Sequence, residues 1–358
     1  MPSLKEIKGR INSISSTLAI TSAMKMVASA KLQKAQMAIQ NMLPYERRLY
    51  SMLVDLMGAM NISAAASEDG SVRGSGSAER GFDQSGDRLS LSNRHDLAGM
   101  DGAYSLMAQR EVRKVAIVAF ASNSSLCGAF NSNVIREATA VINEYRASGL
   151  GDADITVYSV GRKMAEAMKK LGFPSPADFT KMSDSPSYDA ASALAQELLD
   201  GFVSGRFDKV ELVYNHYKST SSQPTIRQTY LPLSLADATA DLQAGKIADS
   251  ASESDTNRGA EPVGAPVVRQ GSPTTEDLIV EPSKEALIAT LLPKVVRLRI
   301  FTTLLDSAAA EHAARTVAMQ LATDNGNDLL QELTLEYNKG RQQKITSEIL
   351  DLVGGSMQ

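Results

Sequence analysis

The feature that most constrains this chain is a pair of long, nearly proline-free helical stretches, one at each end. From Leu4 onward, Leu4, Ile11, Leu18, Leu32 and Ile39 recur at multiples of seven, and Ile7, Ile14, Ala28, Ala35 and Met42 fill the second seam position. A heptad sustained for more than five repeats predicts a coiled coil. At the other end, no proline occurs from Lys294 to Val353, and only Gly326 and Gly340 interrupt the pattern. Some sixty residues at ~1.5 Å each make a helix of roughly 90 Å, far longer than one domain. Such a helix needs support along its length, and the N-terminal helix is the available partner. The expectation is an antiparallel pair. Thr21 and Lys25 interrupt the N-terminal seam; they either fix register or mark where the helix faces another molecule.

Between the helices the pattern changes to strands alternating with helices. Strands are predicted at 115–120, 155–160 and 210–214, with helices at 131–147, 161–171 and 190–203 between or beside them. The alternation at 225–231 suits an edge or antiparallel strand, and 277–280 is expected to resume the sheet. This reads as a mostly parallel, three-layer domain. Ser283 is a plausible N-cap for the last helical region, with Pro293 as a break or a second start.

Two stretches lack periodicity and are small and polar. The division is therefore residues 1–61 as the N-terminal coil helix, 62–109 as a flexible insertion, 110–236 as the α/β foot, 237–275 as a second insertion, 276–293 as the end of the α/β domain and 294–358 as the C-terminal coil helix. The insertions are expected to be peripheral, because they cannot bury enough apolar surface to offset their ordering entropy. The fold class is α/β plus long helices, an antiparallel coiled coil with a central Rossmann-like domain.

Composition removes several function classes. Lys plus Arg is 37 against 41 for Asp plus Glu, Trp is absent, and aromatics are 5%. That leaves little for a nucleic-acid surface to work with. The lone Cys127 excludes an internal disulfide and a CxxC site. With three histidines, a structural zinc site is not expected, and no apolar run approaches a membrane span. Charge is uneven, however. Between Ile7 and Tyr45 there is no acidic residue, while Lys8, Arg10, Lys25, Lys31 and Lys34 are basic. A targeting presequence, a helix on an anionic membrane and a basic helix moving past an acidic protein partner all fit that asymmetry.

No catalytic set emerges. Ser125 to Asn131 follows a strand and opens a helix, where doubly wound folds bind phosphate, but it matches neither glycine-rich fingerprint. Cys127 there could be an activated nucleophile; a buried structural cysteine is the simpler reading, since His95, His216 and His312 are scattered. Near the C-terminus, Ile345, Ile349 and Leu352 make an apolar stripe. It either packs on the α/β domain or forms an exposed tip that another protein encloses.

Four blocks in order, Ile20–Lys31 (ITSAMKMVASAK), Leu126–Asn131 (LCGAFN), Glu311–Met319 (EHAARTVAM) and Leu333–Gln342 (LTLEYNKGRQ) with Ile345-Thr346, resemble the gamma subunit of the F-type ATP synthase. The likeness spans the chain outside the two insertions. It implies a non-catalytic central rotary shaft that couples turning of the membrane c-ring to conformational change at the catalytic beta subunits, without cofactor or metal. It implies one copy per complex, with alpha and beta subunits around the coil, an epsilon-type subunit and the c-ring at the foot, and no nucleic acid. The implied location is peripheral, on the cytoplasmic face of a bacterial inner membrane. By the same resemblance, Arg341, Gln342, Thr346 and Glu348 reach loops of beta and alpha, Met24 and Lys25 face the same zone, Lys31 and Lys34 are further contacts, and Ile345, Ile349 and Leu352 form an apolar bearing.

The chain departs from the family pattern in places. Asn123, Ser124 and Ser125 stand where an Asp-Arg/Lys-Gly step is common, and Ala19 and Ser22 replace two common lysines. The start matches the family's mature start, against a presequence. The chloroplast members' cysteine pair is absent, which excludes that thiol regulation. Two other readings are a coiled-coil adaptor and an α/β enzyme using Cys127.

Overall fold

The computed structural model describes residues 3–59, 106–233, 281 and 283–356. Helix α1 runs Leu4–Ala59 and the last helix, α6, runs Lys284–Ser356, 73 residues and about 110 Å. Between them come β1 Val115–Phe120, α2 Phe130–Ala147, β2 Ile155–Val160, α3 Arg162–Lys170, α4 Thr180–Asp184, α5 Tyr188–Val203, β3 Lys209–Asn215 and β4 Thr225–Leu231. The short helix α4 has no counterpart in the sequence reading. The strand expected at 277–280 lies outside the described residues.

The strand order is β2-β1-β3-β4, with β1 parallel to both neighbours and β4 antiparallel on β3. β1 is buried on both faces, which explains its unbroken apolar run. One face packs Ile117 and Ala119 against Val134, Ile142, Met164 and Met168 of α2 and α3. The other packs Val118, Phe120 and Tyr158 against α5 and also against the base of the coil. Tyr50, Leu53 and Leu56 of α1 and Ile288, Leu292, Val296, Ile300 and Leu304 of α6 belong to that same core. The Tyr230 hydroxyl donates to the Val296 carbonyl at 2.9 Å. Foot and coil are thus one packed body where they meet.

That packing corrects the expectation at Pro293. The residue lies inside α6 and neither ends nor restarts it. An internal proline removes one ladder bond and costs about 3 kcal/mol in isolation. Here Leu292, Val295 and Val296 beside it are each 1% exposed, and burying side chains of that size contributes about 1.5–3 kcal/mol apiece. Pro44 likewise lies inside α1 without ending it. The N-cap assignment holds: Ala286 N–H donates to Ser283 Oγ at 3.1 Å.

The segments read as insertions lie mainly outside the described residues. One boundary changes, because Leu106, placed within 62–109, is 2% exposed in the foot core and its carbonyl accepts from Leu233 N–H at 2.9 Å.

Candidate partner-binding surface of the coil

The heptad seam is the buried stripe of α1. Ile7, Ala28, Leu32, Glu46, Leu53 and Leu56 are buried, and the intervening seam positions, including Thr21 and Lys25, are half-buried. The pairing is antiparallel and in fixed register. Leu32 packs on Ala309 and Ala313, Thr21 meets Thr323, Leu18 covers Gly326 and Leu4 covers Gly340. Thr21 therefore fixes register across the seam.

Among the described residues, this register leaves α6 without a partner helix beyond Gly340. Residues 341–356 continue for about four turns, some 24 Å, past the start of α1. Arg341, Gln342, Thr346 and Glu348 are all exposed there. Thr346 O–H donates back to the Gln342 carbonyl at 2.9 Å, and Glu348 sits 3.7 Å from Lys344. Ile345, Ile349 and Leu352 are exposed at 47%, 55% and 74%, so they do not pack on the α/β domain. The neighbouring Leu350 and Val353 are exposed as well.

Met24, Lys31 and Lys34 are also exposed, on the part of α1 level with residues near 310–320 of α6. Placing Met24 and Lys25 in the same zone as Arg341 is therefore a correction: about twenty residues of helix, roughly 30 Å, separate them along the coil. Antiparallel pairing brings Met24 level with the middle of α6 and Arg341 level with the chain start.

Beside Lys31 is a charged cluster that the sequence did not reveal. Arg315 donates to Glu311 at 2.7 Å and to Ser124 Oγ of the foot at 2.7 Å. Burial pushes the Glu311 carboxyl up, against the pull of Arg315. Burial, then the charges of Arg315 and Lys31, push His312 down to about 4, so it is neutral near pH 7.

The Ser125–Asn131 corner is an anchor for α6. Cys127 is 1% exposed and packs with Phe130 and Ala310. Asn131 Nδ2 reaches its sulfur at 3.2 Å, and among the described residues no histidine bonds it. Asn123, a departure from the family pattern, bridges α3 and α4. It accepts from Arg162 N–H at 2.8 Å and donates to the Thr180 carbonyl at 2.8 Å.

A second joint ties the end of β3 to both coil helices. His216 Nδ1 lies 2.6 Å from Asp306 Oδ2, and Tyr217 N–H donates to Asp306 Oδ1 at 2.9 Å. Gln36 Nε2 of α1 donates to the Tyr217 hydroxyl at 2.6 Å. These partners are 90, 89 and 181 positions apart, so no local motif announces them. Among the described residues, no group of three or more His, Cys, Asp or Glu could hold a metal ion, and no helix is long and apolar enough to cross a membrane.

A long antiparallel coil rooted in an α/β foot, with one helix bare at its far end, defines a stalk protein. A family model described as ATP synthase matches residues 3–357. The ATP synthase gamma chain of Phocaeicola vulgatus is 47% identical over 357 residues, covering 100% of both chains. That of Flavobacterium psychrophilum is 35% identical, covering 99% of this chain and 98% of its own. These alignments run through 62–109 and 237–275, so the non-periodic stretches are not peculiar to this chain. A solved chain in the Euglena gracilis mitochondrial ATP synthase, in an assembly described as OSCP/F1/c-ring, shares the fold with a TM-score of 0.52 and 19% identity, covering 99% of this chain and 93% of that one. The chain belongs to the ATP synthase gamma chain family.

Proposed function

We propose that this stalk works by contact alone, with no catalytic group of its own. The alpha and beta subunits surround the coil, and an epsilon-type subunit and the c-ring hold the foot. The observation that carries this reading is the end of α6, where Ile345, Ile349 and Leu352 stand exposed on a stretch that no described helix accompanies. Apolar side chains in that position gain from an enclosing sleeve. An apolar contact is non-directional and lets the helix turn. The polar groups at Arg341, Gln342, Thr346 and Glu348 supply directional contacts that hold particular angles. Met24, Lys25, Lys31 and Lys34 form a second, basic contact level about 30 Å nearer the foot, suited to an acidic lever on beta.

Each shaft angle then stabilises a different conformer at each catalytic site, which is a coupling free energy in the ordinary sense. The complex sits peripherally on the cytoplasmic face of the cell membrane through its partners. Co-purification with alpha and beta subunits, followed by proton pumping per ATP hydrolysed in membranes, tests the reading. Normal coupling in a complex lacking this chain would remove it.

A further inference from the structure

Beyond the base of the coil, the foot meets α6 on a face of small residues. Ala310 packs with Cys127 and Phe130, Ala314 lies against the same cluster, and a Cβ added at Gly128 would lie 3.8 Å from Ala318. Apolar contact has no direction, so a face of alanines does little to stop a helix rolling about its own axis. Two polar tethers flank that face. Asp306 is held by Tyr217 N–H and His216 at the end of β3. Arg315 donates to Ser124 Oγ, in the corner between β1 and α2, at 2.7 Å. From Asp306 to Arg315 is about two and a half helical turns, ~13 Å, so the two stand on opposite flanks of α6 with Ala310 and Ala314 between them.

Both ends of the second tether are held in place. The Arg315 side chain is 14% exposed, and its other guanidinium nitrogen donates to Glu311 one turn back at 2.7 Å. The Ser124 carbonyl accepts from Ser122 Oγ and from Asn131 Nδ2 at 3.2 Å. Asn123 beside it is bonded to Arg162 of α3 and to Thr180 of α4. Ser124 is therefore a fixed post on the foot. Of the described hydrogen bonds between foot and α6, the one it accepts is the farthest along the helix.

We propose that Arg315 and Ser124 are a positioning pair that sets the rotational angle of α6 on the foot, so that turning of the foot reaches the coil without slack. The inference rests on the reading of the chain as a shaft. A charge-assisted hydrogen bond is directional. Made from the flank of the helix, about 5 Å off its axis, it opposes roll, which the alanine face does not. Asp306 opposes roll from the other flank, and Glu311 keeps the Arg315 guanidinium aimed at the foot.

The test uses the assembled, membrane-bound complex and reads ATP synthesis and protons pumped per ATP well below the melting temperature. Ser124→Ala removes the acceptor. It should lower both readouts, synthesis about fivefold, the low end of ordinary coupling factors, while alpha and beta still co-purify. Ser124→Thr keeps the hydroxyl and should keep wild-type values. Arg315→Gln should lose at least as much as Ser124→Ala, and adding Ser124→Ala to it should cost nothing further, because both remove one bond. A merely structural bond would lower assembly or melting and leave pumping per ATP unchanged. Wild-type pumping and synthesis in Ser124→Ala, equal losses in Ser124→Thr and Ser124→Ala, or a further loss in the double variant would each overturn the pair. If Arg315→Gln does not assemble, the contrast between Ser124→Ala and Ser124→Thr decides alone. Complexes without this chain read the shaft separately. Normal pumping there would overturn the shaft reading and this inference with it, whereas no pumping there and wild-type behaviour of Ser124→Ala would overturn the pair alone.

Discussion

The hydroxyls of Thr21 and Thr323 meet at 3.0 Å across the coil, joining residues 302 positions apart. Thr323 donates to Thr21, which in turn donates to the Leu18 carbonyl at 3.1 Å. One turn on, a Cβ added at Gly326 would lie 2.6 Å from a methyl of Leu18. The helices approach closely here because one of them has no side chain. Gly326→Ala should be tolerated, since the Leu18 methyl can swing away and alanine favours helix by ~1 kcal/mol. Gly326→Leu should separate the helices and lower both the melting temperature and ATP-driven pumping, and Leu18→Ala in the same chain should restore much of each. A Gly326→Leu variant with unchanged melting and pumping would show that close approach is not required.

The foot has its own acid-sensitive centre. Glu211 is 2% exposed and accepts from Tyr145 at 2.7 Å and Arg227 at 2.7 Å, with Lys209 also 2.7 Å away. Burial alone would raise its pKa, but the hydrogen bonds from Arg227, Lys209 and Tyr145 outweigh burial and hold it below the usual carboxylate value. A depressed pKa gives stability that is present above the unfolded value and lost as pH falls through the folded one. Glu211→Gln should cost about 2 kcal/mol near pH 7, because it weakens charge-assisted hydrogen bonds and leaves the half-buried Lys209 and Arg227 with one counter-charge fewer. Denaturant melts of the purified chain should show the gap from wild type shrinking below about pH 4. A gap that is constant with pH would contradict this account.

His216 runs the other way. Its bond to Asp306 is the largest cause of a raised pKa. That contribution is full below the ordinary histidine value and lost as pH rises through the folded value. Wild type and Asp306→Asn should therefore differ most at about pH 6 and converge at more alkaline pH. Thermal melts across that range check it, and a gap that grows with pH would refute the sign.

The parts legible from the residues were those with a period. Heptads from Leu4 to Met42 and the continuous apolar run of β1 each report a local burial pattern, and these elements formed where expected; β4 also formed at 225–231, but half-buried from Thr225 to Thr229 rather than alternating. Pro293 misled because local propensity was outweighed by burial of its neighbours in the foot core. Met24 was misplaced relative to Arg341 because coil register depends on which residues meet across the seam, and no spacing within one helix fixes that. The joint of Gln36, His216, Tyr217 and Asp306 was invisible for the same reason. The candidate contact residues on the coil rested on family motifs, since exposed residues on a helix carry no burial period, and only the register separated them into two levels.

Cys127 sits where a nucleophile reading put it, but its surroundings are those of a packed anchor. Cys127→Ala should leave assembly intact and ATP hydrolysis within about twofold, at a stability cost of about 1 kcal/mol for the small cavity. A water-soluble maleimide should label the native complex slowly, given 1% exposure. Fast labelling, or turnover that falls tenfold with assembly normal, would reopen the nucleophile reading.

The bare end of α6 makes the sharpest prediction, because the polar and apolar groups on it should fail differently. Arg341 and Gln342 are exposed just beyond the point where Leu4 covers Gly340, so they are held on a helix still steadied by its partner. Directional contacts made from there are lost on truncation. Arg341→Ala or Gln342→Ala should lower ATP synthesis several-fold with little loss of assembled complex. Ile345→Leu, Ile349→Leu and Leu352→Met should change little, because a sleeve contact tolerates volume-conserving swaps. Met24→Lys tests the other level. It adds a second cation beside Lys25, about 30 Å from Arg341 along the coil, where it can bind a carboxylate of the surrounding subunits too tightly at one angle. Its effect should therefore appear as fewer protons pumped per ATP, and it should combine additively with Arg341→Ala, as distant sites do. Strong non-additivity between Met24→Lys and Arg341→Ala would mean that the two levels act on one contact and that the separation set by the register does not govern coupling. Wild-type pumping and synthesis in all three polar-site variants would remove these residues from the mechanism.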